Sequence, residues 1–179
     1  MMRSLCALLL LLALLVSSAA WCAPNPARTK GPPASATSLV ARLYQAYAWE
    51  ALSPADALTS NLFGPGLADQ PVTELGKYFD PSLASAIAAD ADCVKKHEGE
   101  ICNLDFDILF ASQDPAASDM TIADGGQGKV LVTYTYPSNG QKVHLVYHTG
   151  NTSLGVRITD IVYRDMDNQS LRSLLGKKP

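Results

Sequence analysis

Residues 129–163, KVLVTYTYPSNGQKVHLVYHTGNTSLGVRITDIVY, decide the fold. Val130, Val132, Tyr134 and Tyr136 alternate with Leu131, Thr133 and Thr135, the period of two that sends successive side chains to opposite faces of a strand. Pro137-Ser138-Asn139-Gly140 is a turn, and Asn-Gly takes the left-handed conformations that a tight hairpin needs. The returning strand covers about Lys142–Thr149. Asn151–Gly155 supplies a second turn, and Val156–Tyr163 a third strand. Thr121–Ala123 adds a short edge strand, with Gly125-Gly126-Gln127-Gly128 as a flexible turn behind it. Past the third strand, Asn168 is placed to cap a short helix carrying Leu171, Leu174 and Leu175.

Upstream the apolar period becomes helical. Leu39, Val40, Leu43, Tyr44 and Tyr47 fall on one side of a helix that starts near Thr37 or Ser38. Residues 53–71 hold three prolines and two glycines, the composition of a loop or of short broken helices. A second helical piece covers about 72–79. Asp80-Pro81 then opens a longer helix to about Lys96, because the carboxylate caps and proline fits the first helical position. Asp105–Gln113 (DFDILFASQ) is open between a short helix and a strand. Helices first and hairpin-linked strands after them give an α+β fold, with N-terminal helices packed on a curved antiparallel sheet and a short C-terminal helix. Such a sheet, with helices in its concave face, leaves a cone-shaped pocket.

The first residues read as an address. Arg3 precedes the apolar run Leu5–Val16, and the small residues Ser17–Ala20 follow, the order of a secretory signal peptide over 1–22. The run has 12 residues, against the roughly 20 needed to span a bilayer. A lipoprotein that keeps Cys22 is disfavoured by the bulk of Trp21. Residues 23–36, rich in Pro, Ala and small polar groups, form a flexible leader, and 37–179 a single domain. Of 179 residues, removal of 1–22 leaves 157, and loss of Arg3 takes the net charge from −3 to −4. That balance speaks against nucleic acid and anionic membrane, which call for clustered Lys and Arg. No later segment is apolar enough for a membrane span. Export to the periplasm suits the pair Cys93 and Cys102, which in an oxidising compartment forms one disulfide. A metal site built from both thiolates and His97 matches no common zinc spacing.

The succession LVARLYQAYAW (39–49), LGKYFDPSLASAI (75–87), CVKKHEGEICNLDFDILFASQDP (93–115) and VRITDIVYRD (156–165) resembles the bacterial domain-of-unknown-function family 3828. The resemblance spans about residues 38–175. It implies the nuclear-transport-factor-2-like superfamily of cone-shaped α+β folds, although Val156 stands where an aromatic residue is usual. That superfamily holds isomerases, cyclases and dehydratases beside many non-enzymatic binding modules, so the fold does not settle function. It also implies a homodimer through the open sheet face as one option.

Six residues are candidates for ligand binding: Asp105, Asp107, Asp114, Tyr134, Asp160 and Tyr163. On a strand, Asp105 and Asp107 share one face about 7 Å apart, where with Asp114 they can hold a cation or raise one another's pKa for acid–base work; the alternative is that Asp105 caps a short helix and the others are solvated or hydrogen-bond backbone at a turn. Asp160 interrupts the row Val156, Ile158, Val162, which makes it the polar group of a pocket, the partner of Arg157, Arg164 or Lys142, or a residue of a solvated face. Tyr134 and Tyr163, with Tyr136 and Tyr147, either donate into a pocket or pack half-buried with a wet hydroxyl. His144 and His148 lie on one strand face about 13 Å apart, too far to share a metal. No nucleophile elbow, phosphate loop or HExxH pair is present, so neither a metal nor a cofactor is expected. Asn151 and Asn168 begin glycosylation sequons that a bacterial resemblance leaves idle.

Three function classes follow. The first is a periplasmic, non-catalytic binding module with an apolar or tyrosine-lined cleft for an unknown ligand. The second is an immunity or inhibitor protein that binds a toxic secreted effector. The third is a small isomerase, cyclase or dehydratase using Asp160 or the Asp105/Asp107 pair.

Overall fold

A computed structural model describes residues 35–51, 62–97 and 100–176. The signal peptide and nearly all of the leader expected from the sequence lie outside these residues. Ser35 opens the first helix, α1 (Ala36–Tyr47), by accepting from Ser38 N–H at 3.1 Å. Its apolar stripe, Leu39, Val40, Leu43, Tyr44 and Tyr47, is the buried one. A 3-10 segment (Ala48–Ala51) continues it. Asp80 caps the long helix α3 (Pro81–Lys96), its Oδ1 accepting from Ser82 and Leu83 N–H at 3.0 Å each, and Pro81 takes the first helical position. Lys95 and Lys96 sit in the last turn, where the helix dipole favours positive charge.

Between them, α2 (Val72–Leu75) is shorter than the expected 72–79 helix. Gly76 ends it, and the next residues join the sheet instead: Phe79 bridges Ile158, Ile158 N–H donates to Tyr78 O, and Asp80 N–H donates to Ile158 O. A contact with the third expected strand outcompetes four further residues of weak helix.

The sheet is an antiparallel meander of five strands in chain order: β1 (Ser118–Gly126), β2 (Lys129–Thr135), β3 (Lys142–Thr152), β4 (Gly155–Tyr163) and β5 (Gln169–Ser170). Val130, Val132 and Tyr134 face the core, opposite Tyr147, Leu145 and Val143 on β3. The α+β expectation therefore holds, with helices on one face of an open antiparallel sheet. Bulges in β1 and at β3–β4 bend the strands. The edge strand is nine residues rather than three, and Gly125 and Gly126 belong to it. Only Gln127 and Gly128 form the turn, both at positive φ, the two-residue geometry that suits strand twist. A Cβ on Gly128 would lie 2.8 Å from Thr149 O, so that position accepts only glycine.

The last helix, α4 (Leu171–Leu175), is capped by Ser170 and not by Asn168. Ser170 and Ser173 exchange side-chain and backbone bonds as a capping box. Asp167 and Asn168 instead take left-handed φ of 52° and 56°, turning the chain back so that β5 pairs with β4, while Asn168 Oδ1 accepts from Arg164 at 2.9 Å. Arg172 then ties α4 to the rest: its guanidinium donates to Thr159 O, Ser82 Oγ and Asp80. No helix among the described residues is long and apolar enough to cross a membrane.

Candidate functional site

The stretch left open between helix and strand, Asp105–Gln113, is neither. Asp107 Oδ1 accepts from Leu109 N–H at 2.8 Å and Phe110 N–H at 2.9 Å, while Asp107 O accepts from Ala111 N–H at 2.8 Å. Ala111, at φ 47°, closes the turn, and Asp107 N–H donates to Ser112 O. The result is a tight knot held by one carboxylate. It drives Ile108, Leu109 and Phe110 into the core at 1%, 0% and 1% exposure.

A knot of this kind carries carbonyls into an apolar interior, where each needs a donor. Three tyrosines supply them in succession. Tyr163 donates to Ile108 O at 3.2 Å, Tyr44 to Leu109 O at 2.9 Å, and Tyr134 to Phe110 O. Tyr147 completes the set through its hydroxyl, 2.9 Å from that of Tyr44. Because Tyr44 gives its proton to Leu109, Tyr147 is the donor of that pair. The rings meet edge to face: Tyr44 on Phe110 at 5.9 Å, Phe110 on Tyr134 at 5.8 Å and Phe106 on Tyr163 at 5.2 Å. Burial pushes all four phenols far above their ordinary range, and the negative charge of Asp107 adds to it. Among the described residues no buried side-chain N or O lacks a hydrogen-bond partner.

The six candidates thus separate. Asp107, Tyr134 and Tyr163 converge on the 107–111 turn, and the hydroxyls there are dry and bonded to protein, not wet. Asp105 is exposed, 3.4 Å from Gln113 Nε2, and off any strand, so it shares no strand face with Asp107. Asp114 is exposed, and its backbone O accepts from Tyr136 OH at 2.7 Å. Asp160 is engaged elsewhere: its Oδ1 accepts from Arg172 N–H at 3.1 Å and so receives the first turn of α4. The row assigned to it is broken by a bulge. His148 pairs with Asp160 while Thr149 pairs with Ile158, leaving Thr159 as an extra residue that returns Ile161 and Tyr163 to the core face. His144 lies 3.3 Å from Asp165 through Nδ1 on the exposed side. Cys93 and Cys102 are bonded to one another. Among the described residues no three His, Cys, Asp or Glu side chains converge as a metal cluster.

Sequence reasoning missed Glu50. Its Oε1 accepts from Leu67 N–H at 2.6 Å. Burial, then the nearby Asp107, push its carboxyl up to about 9, against the pull of the Leu67 amide. The available signal was one acid inside the apolar run Tyr47-Ala-Trp-Glu-Ala-Leu. Tyr44, read only as part of a helix stripe, was missed for the same reason: nothing local says that its hydroxyl has a partner.

With the turn filling the core face, open space lies outside it. A groove of about 310 Å³ runs past Phe110, Tyr136, Gln141, Val143, Asp165 and Met166. On the other face of the sheet a second, of about 380 Å³, is lined by Leu131, Thr133, His144, Val146 and Arg164. No family model, curated protein or solved structure matches the chain.

Proposed function

We propose that this chain is an exported, periplasmic, non-catalytic binding module of the cone-shaped nuclear-transport-factor-2-like kind, and that it takes its ligand in the groove beside Phe110 and Tyr136. One observation carries the choice. The space that an enzyme of this shape would use for substrate is filled by Ile108, Leu109 and Phe110, and the tyrosine hydroxyls that could orient a substrate are bonded to the turn's own carbonyls. The groove beside the turn is open, with an aromatic wall and polar groups at its rim, the form of a binding site rather than of a closed reaction chamber. The isomerase-type alternative draws no support from Asp160, whose carboxylate is engaged with the last helix.

A second reading, an immunity or inhibitor protein directed at a secreted effector, is favoured by the far sheet face. There Leu131, 41% exposed, stands beside Val146 and Thr133 around the larger groove. Native mass spectrometry of the protein isolated from periplasm separates the two. A bound small molecule whose affinity drops tenfold or more, about 1.4 kcal/mol, in Gln141→Arg supports the first reading. A stoichiometric protein complex that survives Gln141→Arg but is lost in Leu131→Asp supports the second and overturns the first.

A further inference from the structure

The two grooves differ in charge. The one on the far sheet face is lined by His144 and Arg164 and by no acid. The one beside Phe110 holds a single charged lining residue, Asp165, and no Lys or Arg. Its apolar lining includes Val143 and Met166, and Asn139 and Gln141 are polar groups at its rim. Tyr136 forms its aromatic wall, and the ring is fixed because its hydroxyl donates to Asp114 O at 2.7 Å. Asp165 is fixed as well. Its Oδ2 accepts from His144 N–H at 2.7 Å and lies 3.3 Å from His144 Nδ1. Both contacts fall on that one oxygen. Among the described residues nothing bonds to Oδ1, and the side chain is 35% exposed. The guanidinium of Arg164, next in the chain, is engaged with Asn168 Oδ1 at 2.9 Å.

We propose that the groove beside Tyr136 selects small organic cations, which set an ammonium group on Asp165 and an apolar body against Tyr136, Val143 and Met166. The proposal rests on the reading of this groove as the ligand site and names the class of ligand. A carboxylate only accepts, and its strongest partners are N–H donors that carry positive charge. An aromatic wall adds to the attraction of a cation. An anion meets like charge at Asp165, and a neutral ligand leaves its free oxygen to water. The volume of about 310 Å³ lies at the small end of the range for small-molecule sites, which fits a free amine better than a segment of protein.

The test is a titration at neutral pH, read from the NMR signals of the Asn139 and Gln141 side-chain amides, with probes of nearly one shape: phenethylamine as the cation, phenethyl alcohol as the neutral form and phenylacetate as the anion. Phenethylamine is expected to bind about fivefold tighter than the alcohol, the size of a charge-assisted bond to a partly exposed carboxylate. Phenylacetate is expected to bind more weakly than either, and added salt to shrink the difference. Asp165→Asn, which keeps an oxygen for the His144 amide, should abolish the amine's advantage and leave the alcohol's affinity unchanged. Gln141→Arg, with a cation at the rim, should weaken the amine and strengthen phenylacetate, and decides the matter if Asp165→Asn does not fold. Equal affinity for amine and alcohol, or an advantage that persists in Asp165→Asn, overturns the proposal and leaves the groove as a ligand site. Signals that no probe moves overturn the proposal and the groove reading together. Tighter binding of Nα-acetyllysine amide than of phenethylamine would assign Asp165 to a lysine of a protein partner and overturns the small-ligand proposal.

Discussion

Phe110→Ala is expected to lower the free energy of unfolding by about 3–5 kcal/mol. The ring is 1% exposed and sits edge-on to both Tyr44 and Tyr134. Truncation removes the apolar burial of a whole aromatic side chain. It also leaves a cavity that cannot easily collapse, because the turn above it is held by Asp107 and the rings around it are held by hydrogen bonds to that turn's carbonyls. The loss should therefore fall toward the upper part of the range for aromatic truncations. Urea denaturation measures it, with Ile101→Ala as the control: that side chain is 66% exposed, and its removal should stay within about 0.5 kcal/mol. A loss at Phe110 no larger than the control would mean that the turn does not belong to the core.

Replacing both Cys93 and Cys102 by serine should cost about 2–3 kcal/mol through the restored freedom of the unfolded chain, the two cysteines being nine residues apart. The bond joins the end of α3 to the segment that enters the 107–111 turn. It is not alone in that task. Asp90, 7% exposed, accepts from Asn103 N–H at 3.0 Å, from Asn103 Nδ2 at 2.8 Å and from Leu104 N–H at 3.3 Å. The double variant should therefore remain folded, with a lower denaturation midpoint and a denaturant slope that is slightly steeper, because the unfolded chain without the cross-link exposes more surface. A variant that fails to fold would show that Asp90 holds this segment only with the disulfide's help. No measurable change would show that the loop is already ordered in the unfolded ensemble.

The parts of this fold that could be read from the sequence are those whose physics is local. KVLVTYTY states its strand by alternation, Asp80-Pro81 states a helix start by capping chemistry, and Leu39 to Tyr47 state a buried stripe by spacing. The 107–111 turn is not local. Its conformation depends on tyrosines 65, 24 and 55 residues away, each supplying a donor for one of its carbonyls. Asp107 announces a cap, but whether it caps a helix, a turn or nothing is decided by those partners. The bulge at Thr159 is likewise invisible in VRITDIVY, where every residue suits a strand, and it moved Asp160 out of the row to which alternation assigned it. Glu50 could be seen only as an acid in apolar company, because the groups that act on it, Leu67 and Asp107, lie on other loops.

The central claim is that the 107–111 turn fills the core face of the sheet and consumes the hydroxyls of Tyr44, Tyr134, Tyr147 and Tyr163. Alkaline titration of tyrosine absorbance, with circular dichroism followed in the same samples, tests it most directly. The account predicts that these four phenols stay protonated until the chain unfolds, so that their absorbance change coincides with loss of the fold. Reversible ionisation of any of the four within the ordinary phenol range, about pH 10, while the fold persists would contradict it, because water would then reach the space that the turn is held to occupy.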